Sequence, residues 1–327
     1  MITRRIKINP LNPEPEIIAL AANIIKSGGL VAFPTETVYG LGANALDPEA
    51  VSRIYLAKGR PSDNPLILHV SNLSQAESLV HMNDKARMLA KKFWPGSLTL
   101  VLPAKEIIPS KTRGGLETAA IRCPDNAVAL ELIKASGVPI AAPSANTSGR
   151  PSPTDSDSVY NDMNGKIDLI LDSDSIKVGI ESTVIDISDP ERVLLLRPGG
   201  MSRALIEEAL NMPLERPEHD SDSKRRSPGT RYKHYAPSIP VVIFRENISI
   251  PDSAGYMGLH EPVLEPDKKF AREIIFASYA DYARGLFSGF RELEHQGLSC
   301  ILVEWPEDDS GINEGLRDRI IRAAGNN

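Results

Sequence analysis

Between Leu30 and Arg197, short apolar runs alternate with stretches whose apolar residues recur at helical spacing, and this limits the chain to few architectures. Strand-like runs stand at 30–33, 66–70 (LILHV), 98–102 (LTLVL), 119–122, 138–142, 168–172, 183–187 and 193–197. Helical patterns lie at 14–27, 48–57, 74–81, 84–93 and 125–136. Strands interleaved with helices predict an α/β domain that receives ligands where strands end and loops begin. The boundaries have local reasons. Ile17, Leu20, Ala21, Ile24 and Ile25 share one face of the first helix, and Gly28-Gly29 stops it. Asp47 is placed to cap the second, with Pro48 at its first position.

A further helix is expected over 202–210, and the composition then changes. ERPEHDSDSKRR at 215–226 is polar and charged, too poor in apolar groups to order itself, and reads as linker. A second β/α pattern begins at Val241, with strands at VVIF and near 254–258, 273–277 and 300–305. Its helices are expected at 279–295 and 312–324. The expected division is a catalytic domain over 1–210, a linker or lid over 211–239 and a small Rossmann-like β/α domain over 240–327. The last lacks a Gly-rich phosphate fingerprint.

Several function classes fall away. The net charge of −6 argues against strong sequence-independent nucleic-acid binding, which needs clustered exposed cations. No apolar run approaches a membrane span, and MITRRIKINPLNPEPE has no apolar core of a signal peptide, so a cytoplasmic location is expected. Cys123 and Cys300 have no partners at metal-ligand spacing and are expected to be plain thiols. The chain has neither a GxxxxGK[ST] loop nor a GxSxG elbow.

The polar residues of the first domain gather at strand ends, in PTETVYGLG (34–42), KGRPSDNPLILHV (58–70), WPGSLTLVL (94–102), TAAIRCPDN (118–126) with APSANTSGRPSPT (142–154), and GIESTVID (179–186) with LLLRPG (194–199). Lys58, Arg60, Arg122, Arg150 and Arg197 each stand beside Pro, Gly or a strand end. Five such cations on an acidic chain point to a focused anion site, since Arg offers a planar fork to carboxylate or phosphate. Thr35, Thr37, Ser144, Ser152, Ser182 and Thr183 add neutral donors.

In order and spacing, PTETVYGLG, KGRPSDNPL, PSANTSGRPSPT and STVID resemble the YrdC-like family. SPGTRYKHYAP (227–237) resembles the linker motif of its two-domain form, the L-threonylcarbamoyladenylate synthases. The resemblance implies an open, twisted mixed sheet with a concave cavity. It implies a reaction of L-threonine, bicarbonate or CO2, and ATP to L-threonylcarbamoyladenylate and pyrophosphate. Mg2+ would be carried with the ATP, and no protein metal site is expected. The product would pass to a transferase complex that modifies tRNA. By the same resemblance Thr37, His69, Arg122, Ala142 (through its backbone) and Ser182 would hold threonine. Arg60, Asn64, Thr118, Ser144, Ser152 and Arg197 would hold ATP, with Tyr235 reaching in from the linker. Lys58 and Arg60 would act on the phosphate or carbamate oxygens. Because a plain linker would lack Arg231, Tyr232, Lys233, His234 and Tyr235 in one run, SPGTRYKHYAP (227–237) is expected to fold over the cavity mouth as a lid. Two other readings are carbamoyl transfer to a different substrate and an RNA-binding module; the latter requires a contiguous basic face.

Overall fold

The structure, a computed structural model, describes residues 2–173, 176–217, 235–245, 250–262, 264 and 268–325. The expected lid residues Arg231, Tyr232, Lys233 and His234 lie outside these.

The first unit contains β1(Arg4–Lys7), α1(Pro15–Lys26), β2(Val31–Phe33), β3(Gly40–Asn44), α2(Pro48–Lys58), β4(Ile67–His69), α3(Leu73–Leu79), α4(Asp84–Phe93), β5(Leu98–Pro103), β6(Thr118–Arg122) and α5(Ala127–Ser136). It continues with β7(Ile140–Ala141), α6(Ser156–Met163), β8(Leu169–Asp172), β9(Thr183–Asp186), β10(Leu194–Arg197) and α7(Arg203–Leu210). Among the described residues its strands form one mixed sheet in the order β1-β8-β2-β3-β7-β4-β6-β5-β9-β10. The run expected at 138–142 shrinks to two residues, because Pro139 and Pro143 flank it and neither can donate to a ladder.

The helices cover the two faces unequally, and this makes the cavity. On one face α2, α3, α4, α6 and α7 pack through Ile54, Leu79, Leu89, Met163 and Ile206 against Leu68, Leu100, Ile121 and Ile185. On the other, α1 and α5 cover only the part of the sheet around Val31, Ile140 and Leu169. Beyond them that face is left open. Its residues follow from the two-residue period of a strand. On β4, Ile67 and His69 flank Leu68; on β6, Ala120 and Arg122 flank Ile121. Ile67, Val101, Ala120, Val184 and Leu196 form a small cluster of their own on this open face. Arg197 would point away from it, since Leu195 packs on the covered face. A bulge between Leu195 and Arg197 shifts the register and sets Arg197 opposite Val184, on the open face.

The second unit is a parallel sheet of β11(Val241–Ile243), β12(Ala254–Gly258), β13(Arg272–Ile275) and β14(Cys300–Val303), in the order β11-β14-β12-β13. With it go α8(Tyr279–His295) and α9(Asn313–Ala323). Ser278 caps α8 by accepting from the Asp281 amide, and Tyr282, Leu286, Phe287, Phe290 and Leu293 are its buried stripe. That apolar cluster takes in Val38 and Ile180 of the first unit, so the two cores meet. Glycines allow the approach. A Cβ on Gly179 would stand 2.2 Å from Arg284 Cα, and one on Gly315 would stand 2.9 Å from Gly199 Cα. No described helix is long and apolar enough to cross a membrane.

Candidate active site

A cavity occupies the open face where the loops after β2 and β7 and the loop before β4 converge with β4 itself, the end of β6, the residues leading into β9 and the end of β10. Thr35, Thr37, Arg60, His69, Arg122, Ala142, Ser144, Glu181, Ser182, Arg197 and Tyr235 all line it.

Each cation is set by its element. Asp47 caps α2 by accepting from the Glu49 and Ala50 amides, and Gly59 ends the helix in the left-handed conformation at φ 61°. Lys58 and Arg60 stand on either side of that turn. Arg60 is buried, donates from Nη2 to Pro65 O at 3.1 Å, and keeps Nε without a partner among the described residues. Burial lowers its pKa to about 10, with Arg197 adding to the effect. Lys58 lies behind the wall. Its ammonium donates to Ser144 O at 2.6 Å, Asn146 O at 2.5 Å and Asn146 Oδ1 at 3.4 Å. Burial, then the neighbouring Arg60, push it well below the ordinary lysine value.

His69 and Arg122 are register partners across β4 and β6. Arg122 is held from three sides: Nε on Gly96 O at 3.1 Å, Nη1 on Thr37 Oγ1 at 3.0 Å, and Nη2 beside Glu36 Oε1 at 2.5 Å. His69 is buried, with Nδ1 3.3 Å from Ile67 O. Burial and the Arg122 charge lower its pKa to about 3, so it is neutral at ordinary pH. Thr35 and Thr37 share a hydroxyl contact of 2.8 Å, and Thr35 also donates to Val38 O, which fixes the loop.

Ser182 Oγ sits 2.8 Å from Thr99 Oγ1 and accepts from Arg197 Nη2 at 3.3 Å. Ser144 donates to Asn146 Oδ1 at 2.5 Å. Ser152 donates to Glu181 Oε1 at 2.5 Å and so stands one bond behind the wall. Asn64 is buried in the loop before β4, next to Pro65 of the lining. Tyr235, at φ 67°, stacks on Phe287 at 5.4 Å and lies under the Arg319 guanidinium at 5.1 Å.

Three sequence candidates lie elsewhere, and the first, Thr183, donates its hydroxyl to Met201 O at 2.6 Å and is not part of the lining. Thr118 shares a face with Arg122, but at the other end of β6, about 13 Å along the strand, and is not part of the lining. Arg150 turns to the second unit, where its fork grips Glu294 through two bonds of 2.6 Å. The reading from cations and hydroxyls also missed the carboxylates. Glu36 and Glu181 stand inside the quoted segments PTETV and GIESTV, but hydroxyl spacing gave no reason to single them out. Arg319 carried no signal at all, since it comes from the last helix.

The family model described as telomere recombination, which covers the Sua5, YciO and YrdC proteins, matches residues 23–199. The chain belongs to this family. Residues 201–325 match the model of the threonylcarbamoyl-AMP synthase C-terminal domain, so the chain has the two-domain form of the Sua5–YciO–YrdC family. It is 43% identical to the threonylcarbamoyl-AMP synthase of Pyrococcus abyssi, with 94% of each chain covered. It is 41% identical to that of Bacillus subtilis, over 94% of this chain and 93% of the other. The crystal structure of Pyrococcus abyssi Sua5 complexed with L-threonine is similar at a TM-score of 0.89 and 39% identity, covering 99% of this chain and 98% of that one. Escherichia coli YciO matches 60% of this chain and 95% of its own, at a TM-score of 0.55 and 26% identity.

Proposed function

We propose that this chain is a threonylcarbamoyl-AMP synthase, forming L-threonylcarbamoyladenylate and pyrophosphate from L-threonine, bicarbonate or CO2, and ATP. One observation carries the reading: Arg60, Arg122 and Arg197, all buried, open on one cavity beside a neutral histidine, in a chain that matches such synthases almost end to end.

Threonine belongs at the Arg122 end. The guanidinium, already oriented by Gly96 and Thr37, takes the carboxylate, while Thr37, neutral His69, Ser182 and the Ala142 backbone take the amine and hydroxyl. ATP belongs at the Arg60 and Arg197 end, with Ser144 and Tyr235 on the wall and Asn64 and Ser152 behind it. Arg60 Nε is a buried donor that a phosphate oxygen would satisfy. Lys58 supports this end through the 144–146 loop. Thr118 is kept with the ATP set on the resemblance alone, since it is not among the lining residues.

No protein nucleophile is required. The threonine amine forms an N–C bond to CO2 and loses a proton. A carbamate oxygen then forms a bond to the α-phosphorus, and the bond to the bridging oxygen breaks to release pyrophosphate, which makes the reaction a nucleotidyl transfer. The chain's part is to orient the two reactants and to face the developing charge with fixed donors. The recess excludes water from a carbamate that hydrolyses readily. The described residues hold no cluster of metal-ligating side chains, and the cavity carboxylate Glu181 is engaged by Arg319, so Mg2+ is assigned to the ATP phosphates and no step is routed through it. Delivery of the product to a tRNA-modifying transferase in the cytoplasm is part of the same proposal. An RNA-binding module is less favoured, because Lys58, Arg60, Arg122 and Arg197 are buried and form no exposed basic face.

The test is pyrophosphate release from ATP and Mg2+ with bicarbonate, comparing L-threonine, L-serine and no amino acid. Release that requires both threonine and bicarbonate is expected. Folded protein that releases none overturns the reading.

A further inference from the structure

Arg319 starts on α9 of the second unit and ends wholly buried against the first, at 0% side-chain exposure. Its Nε donates to Glu181 Oε2 at 2.7 Å. Its Nη1 donates to Pro198 O at 3.1 Å and to Asp318 Oδ2 at 2.5 Å. Its plane lies over the Tyr235 ring. Glu181 and Tyr235 are both lining residues of the cavity.

A carboxylate on the wall of a triphosphate site is a problem. Left alone, Glu181 would repel the phosphates or draw Arg197 to itself. Burial would raise its pKa, yet Arg319 and Arg197 hold it below the ordinary range, so its negative charge is present and is answered from behind.

We propose that Arg319 is a positioning residue for the nucleotide: by neutralising Glu181 and seating Tyr235 it keeps the cavity wall beside Arg60 and Arg197 net positive for the phosphates. The proposal rests on the synthase reading above. It differs from interface adhesion. Gly315, one turn earlier on α9, already docks that helix by shape against Gly199, and Arg150 with Glu294 ties the units at a point outside the cavity lining.

The experiment titrates Mg-ATP into the full-length protein by calorimetry and measures KM for ATP and for threonine by pyrophosphate release. R319Q is expected to bind ATP at least tenfold more weakly, with KM for threonine within twofold of wild type. E181Q keeps its shape, removes the negative charge from the wall and leaves Arg319 paired with Asp318 alone, so it should bind ATP several-fold more tightly. R319Q/E181Q, with both charges gone, should return to within threefold of wild type. E294Q should bind ATP as wild type does. The proposal is overturned if R319Q binds ATP normally, if the double variant is no better than R319Q, or if E294Q is equally impaired. Should R319Q not fold, E181Q decides, and no tightening overturns the proposal. Wild-type protein that binds no ATP overturns the synthase reading along with it; wild-type binding with an unaffected R319Q overturns this proposal alone.

Discussion

Arg122 Nη2 stands 2.5 Å from Glu36 Oε1, and both side chains are only 4% exposed. Arg122's bonds to Gly96 O and Thr37 Oγ1 hold the guanidinium from the other sides, so its fork is aimed before any ligand arrives. E36Q should raise KM for threonine about tenfold with KM for ATP unchanged, because a neutral partner loosens a charge-assisted contact without adding bulk. R122K should lose about a hundredfold or more in kcat/KM for threonine, since an ammonium cannot reproduce a planar fork. Equal effects on both substrates would argue against the assigned threonine end.

His69 sets an acid limit on stability. Its pKa is lowered from 6.5 to about 3, so the unfolded chain binds a proton in this window that the folded chain does not. Stability from this residue is therefore fully present above about pH 6.5 and is lost as pH falls toward 3. Urea midpoints measured across that window should fall with pH, and H69Q should flatten the slope. A slope unchanged in H69Q would count against a buried, neutral imidazole.

Lys58→Met removes the donor shared by the Ser144 and Asn146 carbonyls. An unsatisfied buried acceptor costs about 1–3 kcal/mol. Thermal unfolding should show that loss, and KM for ATP should rise as the loop bearing Ser144 relaxes. A variant with full stability would show that solvent replaces the ammonium.

Phe287→Ala removes a fully buried ring of the second unit, for which about 3–5 kcal/mol is the usual cost. It also takes away the surface on which Tyr235 stacks. If folded protein is recovered, its KM for ATP should rise while that for threonine holds. No change in either would separate Tyr235 from the nucleotide.

What was legible in the sequence follows from how local each signal is. Helix α8 was readable at both ends, because Ser278 caps it and one apolar stripe runs its length. Strand β3 was not, since GLGAN carries two glycines and no β-branched residue, and its place is fixed by pairing with β2 and β7. Strand β1, RRIK, reads as charged tail until β8 pairs with it. Helix α6, SDSVYNDM, is built from weak helix formers and depends on its Asp155 cap and on Val159 and Met163 in the core. In the site, Arg60, Arg122 and Arg197 were legible because each adjoins a Gly, Pro or strand end. That Arg150 faces Glu294, and that Glu181 meets Arg319 across 138 residues, were not, because only the packing of the two units brings those pairs together.

Tyr235 belongs by packing to one unit and by exposure to the cavity of the other. Because a single polypeptide carries both, the ring reaches the cavity by an intramolecular step, at an effective concentration on the order of millimolar for two linked modules. Two separate chains present at micromolar levels would meet about a thousandfold less often. A gene split between the two halves would therefore turn a permanent wall of the cavity into a dilution-sensitive one.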